Sequence, residues 1–133
     1  MRALVVDDIE FNQMLLVNFL KGIASCDTAR TGKEAIDLFR TALQENRPYA
    51  LIFMDIMMPE MDGPETLKNI RQLEKDFNVQ PGNEAKAIMV TVLSDVKNVT
   101  RSYFHGLADA YLTKPVTKEK IISTLKNLGI LQD

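Results

Sequence analysis

Apolar runs that end in polar residues alternate along this chain with segments whose apolar residues recur at helical spacing. "RALVVDD" (2–8) is a short continuous apolar run, which needs cover on both faces and predicts a buried strand. "IEFNQMLLVNFLKG" follows with a helical period and is closed by Gly22. It is apolar around more of its circumference than a one-sided surface helix requires. "IASCDTA" reads as a weaker strand. "TGKEAIDLFRTAL" opens on Thr31 with Glu34 three places on, a capping-box pattern, and sets Ala35, Phe39, Ala42 and Leu43 in one stripe. Pro48 breaks the chain before a strand over 49–55.

The second half repeats the alternation. "PETLKNIRQLEKDF" starts on Pro64, suited to a first helical turn, and its stripe is Leu67, Ile70 and Leu73. "NVQPGNEAK" is a polar loop with a Pro-Gly turn, and "AIMVTVLS" is a strand. "VKNVTRSYFHGL" predicts a helix with Val96, Val99 and Tyr103 on one face. "DAYLTKP" is a short strand stopped by Pro115. "TKEKIISTLKNLG" is the last helix, with Ile121, Ile122, Leu125 and Leu128 inward and Gly129 as its C-cap. Five strand–helix units with short apolar strands predict an α/β fold whose parallel sheet is covered on both faces. Right-handed crossovers leave few topologies, and the flavodoxin-like (βα)5 order 2-1-3-4-5 is the natural one for five strands.

Composition changes this picture little. A chain of 133 residues suits one domain with a real core. A net charge of −2 gives no electrostatic argument for nucleic acid or an anionic membrane as partner. The single cysteine, Cys26, excludes an internal disulfide and reads as a small core-lining residue. The lack of paired cysteines, of a leading apolar segment and of a membrane-length apolar run predicts a soluble cytoplasmic protein.

The chemistry collects at strand ends. Ligands of open parallel sheets bind at the carboxyl ends of the strands where the order reverses, here between the first and third strands. Those ends carry Asp7, Asp8 and Asp55; the fourth strand ends near Thr91 and the fifth at Lys114 and Pro115. Clustered carboxylates repel unless a cation sits among them, and oxygen ligands without His or Cys select a hard ion such as Mg²⁺. Such an ion seeks phosphate, for which Lys114 offers a charge and Thr91 a hydrogen-bond donor. Asp55, alone at its strand end, is the carboxylate able to act as a nucleophile and form an acyl phosphate. Taken singly, each motif is ordinary turn chemistry. Their joint appearance at successive strand ends carries the inference.

Over essentially its whole length the sequence resembles the receiver domains of two-component response regulators. "LVVDDIEFNQMLL" resembles the family's acidic-pair strand and first helix, "LIFMDIMMPEMDG" its phosphoacceptor strand and loop, and "DAYLTKPV" its last strand with the Lys-Pro step. The resemblance implies that Asp55 accepts a phosphoryl group from a phosphohistidine on a histidine kinase or histidine phosphotransfer protein. It implies Mg²⁺ held by Asp8, Asp55 and the carbonyl of Met57, with Asp7 acting through water. Lys114 pairs with phosphoryl oxygens before a cis bond to Pro115. Thr91 and Tyr111 form the coupled switch, which biases a face built from the predicted helix at 96–107, the last strand and the last helix. The protein would catalyse its own phosphorylation and dephosphorylation, as a monomer or a weak phosphorylation-dependent dimer. In this family the first helix docks on the helical bundle of the kinase, so some of Phe11, Met14, Leu15 and Val17 are expected to be exposed.

Three departures from the pattern stand out. Val92 follows Thr91 where the family usually has a small residue, which predicts crowding and slower exchange with small donors. The stretch from Thr91 to Lys114 is one residue longer than usual, and the loop over 74–86 is longer too, expected to be a solvated surface insertion. His105 is expected to be a plain surface histidine. Of the methionines in the phosphoacceptor segment, Met54 and Met58 are expected to pack in the core beside the strand rather than to form an apolar binding patch with Met57 and Met61.

With strand and helix assigned almost end to end, the expected form is a stand-alone receiver without an output domain; the receiver portion of a hybrid histidine kinase or longer regulator is the alternative. A Mg²⁺-dependent phosphatase of the haloacid-dehalogenase type would need an acid two places after the nucleophile, where this chain has Met57. A phosphorylation-independent interaction module is disfavoured by the complete set Asp7, Asp8, Asp55, Thr91 and Lys114.

Overall fold

The computed structural model describes residues 1–92 and 107–132. Among them, five strands form one parallel sheet: β1 (Arg2–Val6), β2 (Ser25–Ala29), β3 (Leu51–Asp55), β4 (Lys86–Thr91) and β5 (Ala110–Thr113), in the order β2-β1-β3-β4-β5. The described helices are α1 (Glu10–Phe19), α2 (Gly32–Gln44), α3 (Gly63–Asp76) and α4 (Lys118–Asn127). The expected order is therefore the observed one. The predicted helix at 96–107 lies almost wholly outside the described residues, with Val96, Val99, Tyr103 and His105.

The continuous apolar strands need cover on both faces because successive side chains point to opposite sides. In β1, Leu4 and Val6 join Ile52, Met54 and Met89 on one face, under Phe39 of α2 and Ile70 of α3. Ala3 and Val5 join Leu51, Phe53, Ile88 and Val90 on the other, under Leu16 of α1 and Leu125 of α4. Central strands β1 and β3 are thereby dry on both sides. The edge strand β2 buries only Ala29 fully, which is why its sequence signal is weak.

Helix starts follow their caps. Thr31 accepts the Glu34 N–H at 3.1 Å, and the Glu34 carboxylate takes the N–H of Arg30, one residue outside the usual reciprocal box. Asp62 caps α3 through the Glu65 N–H at 2.9 Å, and Thr117 caps α4. Gly129 follows α4 at φ 76, a left-handed conformation that glycine adopts without strain. Some boundaries are shorter than expected. β1 stops at Val6 rather than Asp8 and β4 at Thr91, since parallel pairing ends where the chain must turn toward the next helix. Ile122, expected inward, is half-buried, while Ile121 and Leu125 face the sheet.

Candidate functional site: an acidic cluster at the strand ends

Each acid of the cluster stands where a strand gives out. Asp7 follows β1, its N–H still donating to the carbonyl of Ala29 at 3.0 Å. The chain then turns, and Asp7 Oδ1 accepts the N–H of Ile9 at 2.9 Å. That carboxylate stands at the entry to α1, whose N-cap residue, Ile9, offers no side-chain acceptor. Asp55 is the last residue of β3, in register with Val90 of β4. One carboxylate oxygen from each of Asp7, Asp8 and Asp55 lies within 4.8 Å of the other two. Asp7 and Asp55 are buried and Asp8 is exposed.

The counter-charge comes from the other half of the sheet. Lys114 follows β5, with its N–H donating to the Thr91 carbonyl at 2.8 Å. Its Nζ lies 3.5 Å from Asp55 Oδ1 and 3.9 Å from Asp7 Oδ2. The Lys114–Pro115 peptide is cis. Thr91 ends β4 fully buried, and its Oγ1 donates to the carbonyl of Val92 at 3.3 Å. Val92 lies beyond the strand, 44% exposed. Tyr111, on the edge strand β5 in register with Met89, is also partly open to solvent. Met57 sits in the loop two residues past Asp55 with its side chain exposed, whereas Met54 and Met58 are buried.

Among the described residues, one ammonium faces three carboxylates, which leaves the site short of positive charge. Burial, and then the charge of Asp7, push the Asp55 carboxyl up to about 6, with Lys114 pulling partly the other way. Burial also raises Asp7, against the Ile9 N–H and Lys114. Three hard oxygen donors with a deficit of positive charge, and no sulfur or imidazole among them, fit a hard divalent cation.

The candidate docking residues separate. On α1, Phe11 and Met14 are 69% and 63% exposed, Leu15 is half-buried, and Val17 packs against the core under the sheet. Phe11 and Leu15 line a cavity of about 230 Å³ together with Pro115, Val116, Lys114 and Asp7. The apolar face of α1 thus runs up to the acidic site.

Sequence reasoning passed over three groups. Asn12 Nδ2 lies 3.5 Å from Asp7 Oδ1, and the buried Gln13 donates from Nε2 to the carbonyls of Asp7 and Ala29 at 2.8 and 3.0 Å. In sequence they are two consecutive amides in an apolar helix, a pattern that does not mark either as bonded to the strand-end acid. At Gly63 a Cβ would run into the carbonyl oxygen of Asp55, so the start of α3 lies directly against the acid's backbone. The third group is Arg71 with Glu74 and Asp109, remote from the site, whose pattern in sequence is that of ordinary surface charges.

Comparison with known proteins agrees with the geometry. The family model for the response regulator receiver domain matches residues 3–126. The osmosensing histidine protein kinase SLN1 of Saccharomyces cerevisiae is 29% identical over 126 residues, which are 93% of this chain and 10% of that kinase. The two-component response regulator ARR22 of Arabidopsis thaliana is 30% identical over 95% of this chain and 82% of its own length. Among solved structures, the receiver domain of the Arabidopsis thaliana histidine kinase CKI1, complexed with Mg²⁺ and BeF3⁻, superposes with a TM-score of 0.72. It is 28% identical, covering 94% of this chain and 89% of that one.

Proposed function

From the membership of this chain in the response regulator receiver domain family, we propose that it is a cytoplasmic phosphoacceptor of two-component signalling, phosphorylated on Asp55 in a Mg²⁺-dependent reaction. The observation that carries this reading is the convergence of three carboxylates and one ammonium, from separate strand ends, around the buried Asp55. The complex of the CKI1 receiver with Mg²⁺ and BeF3⁻ supports the choice of ion.

Asp8, Asp55 and the carbonyl of Met57 would hold Mg²⁺, with Asp7 acting through water; when bound, the ion supplies positive charge to Asp55 and to the phosphoryl oxygens. An Asp55 carboxylate oxygen attacks phosphorus in line as the N–P bond of the phosphohistidine breaks. The electron pair of that bond stays on the ring nitrogen, and because the other ring nitrogen of the phosphohistidine already carries a proton, histidine leaves as neutral imidazole. Lys114 shifts from the carboxylates to the transferred phosphoryl oxygens. Thr91 exchanges its long bond to the Val92 carbonyl for one to the phosphoryl group, and Tyr111 follows it inward. The switched face includes β5 and α4. Val92, exposed beside Thr91, slows exchange with small donors. Phe11, Met14 and Leu15 offer an apolar surface to a histidine kinase or histidine phosphotransfer protein.

The chain spans about a tenth of the yeast kinase and most of ARR22. The same chemistry serves a stand-alone receiver or the receiver portion of a hybrid kinase. Incubation with Mg²⁺ and a small phosphodonor, followed by intact mass, is expected to add one phosphoryl group to the wild type and none to Asp55→Asn. No gain in the wild type, or an equal gain in the variant, overturns the assignment.

A further inference from the structure

The side chain of Gln13 ties α1 to two strand ends. Asp7 N–H still bonds to Ala29, the last residue of β2, but beyond that point the chain turns away into α2. The Asp7 carbonyl therefore stands where the parallel ladder has run out. Gln13 Nε2 fills that place, donating to the Asp7 carbonyl at 2.8 Å and to the Ala29 carbonyl at 3.0 Å. Its residue is only 6% exposed. The preceding residue, Asn12, reaches the other end of the same aspartate at Oδ1. With Oδ1 also taking the Ile9 N–H, Oδ2 is the oxygen left toward Lys114. Adjacent residues of one helical turn thus hold both the backbone and the carboxylate of Asp7.

We infer that Gln13 is a positioning residue for the cation-binding cluster, fixing Asp7 so that its carboxylate keeps its place beside Asp8 and Asp55. This rests on the phosphoacceptor reading above, in which the cluster binds Mg²⁺. An amide suits the task because it donates two hydrogen bonds from one nitrogen without adding charge beside three acids. Groups that orient a metal's ligands typically change affinity by about ten- to a hundredfold when removed.

The test is a calorimetric Mg²⁺ titration of the full chain, as wild type, as Gln13→Met and as Arg71→Met, a variant that weakens the fold far from the acids. Gln13→Met is expected to weaken Mg²⁺ binding about tenfold, while Arg71→Met binds as the wild type does. Binding by Gln13→Met within twofold of the wild type overturns the inference and leaves the phosphoacceptor reading standing. A wild type that binds no Mg²⁺ at millimolar concentration overturns both. If Gln13→Met does not fold, the wild type decides. The side-chain amide resonances of Gln13 are expected to shift with the same Mg²⁺ midpoint as the backbone amides of Asp7 and Asp8, and resonances that stay fixed overturn the inference.

Discussion

Asp55 shows how far a single carboxyl can be driven by its surroundings. Its folded value of about 6 stands above the ordinary 3.8, with burial as the largest cause. Between those values the unfolded chain has already released a proton that the folded chain still holds. Stability therefore falls as pH rises through the window, and is fully restored only below it. Asp7, raised for the same reason, adds to the slope. In EDTA, Asp55→Asn is expected to be more stable than the wild type at pH 7.5 by on the order of 2 kcal/mol, a gain that shrinks toward pH 4. Urea unfolding at the two pH values measures it. Mg²⁺ is expected to raise the wild type's midpoint at pH 7.5 and to leave Asp55→Asn nearly unmoved, because a cation among the acids removes the cost of ionising them. At this scale the acids, Lys114 and Thr91 were legible in sequence as strand-end polar residues. Gln13 was not, because an amide inside an apolar helix looks like any polar position until its two carbonyl partners are placed beside it.

At the scale of elements, strand ends and helix starts share atoms. Gly63 opens α3, its N–H donates to the Ile56 carbonyl at 2.8 Å, and its α-carbon lies against the backbone of Asp55. In sequence, Asp62-Gly63 turns the chain into the third helix, and the structure adds that Asp62 caps it. That the glycine is also demanded by close approach becomes visible only once α3 lies on the strand end. Gly63→Ala meets backbone rather than a flexible side chain, so the strand end or the helix must shift. The expected cost is about 1–3 kcal/mol in urea unfolding, accompanied by displaced amide resonances at Asp55 and Ile56. A change smaller than about 0.5 kcal/mol, the usual size of a surface substitution, with an unmoved spectrum, would show that the helix start has room to give. The apolar girth of α1 divides in the same way. Leu16 and Val17 serve the core, while Phe11 and Met14 stand in solvent. Periodicity counted the apolar residues but did not say which side the sheet would occupy.

Among the described residues, a long-range polar clamp ties elements together at the end of the sheet away from the acids. The Arg71 guanidinium has five N–H donors. It bonds the Leu107 carbonyl from Nε and Nη2 at 3.1 and 3.0 Å, the Ala85 carbonyl at 2.8 Å, Glu74 at 2.7 Å and Asp109 at 3.2 Å. Glu74, buried, also accepts the Ala85 N–H, and Asp109 accepts that of Ala87. The clamp joins the end of α3, the exposed loop before β4 and the entry to β5. Arg71→Met is expected to destabilise by about 3 kcal/mol, since it strands a buried carboxylate. The double variant Arg71→Met with Glu74→Gln should cost less than the sum of the single ones, because the stranded charge is gone. Additive costs in urea unfolding would mean that the two residues act independently.

By itself, the sequence determined the strand order, the covered faces and the acids with their lysine, because apolar period and chain handedness leave few ways to bury such strands. Tertiary structure alone decided which amide braces Asp7, which arginine closes the far edge and why Gly63 must lack a side chain. These depend on atoms brought together from distant parts of the chain, where no local pattern marks one polar residue as buried and its neighbour as solvated.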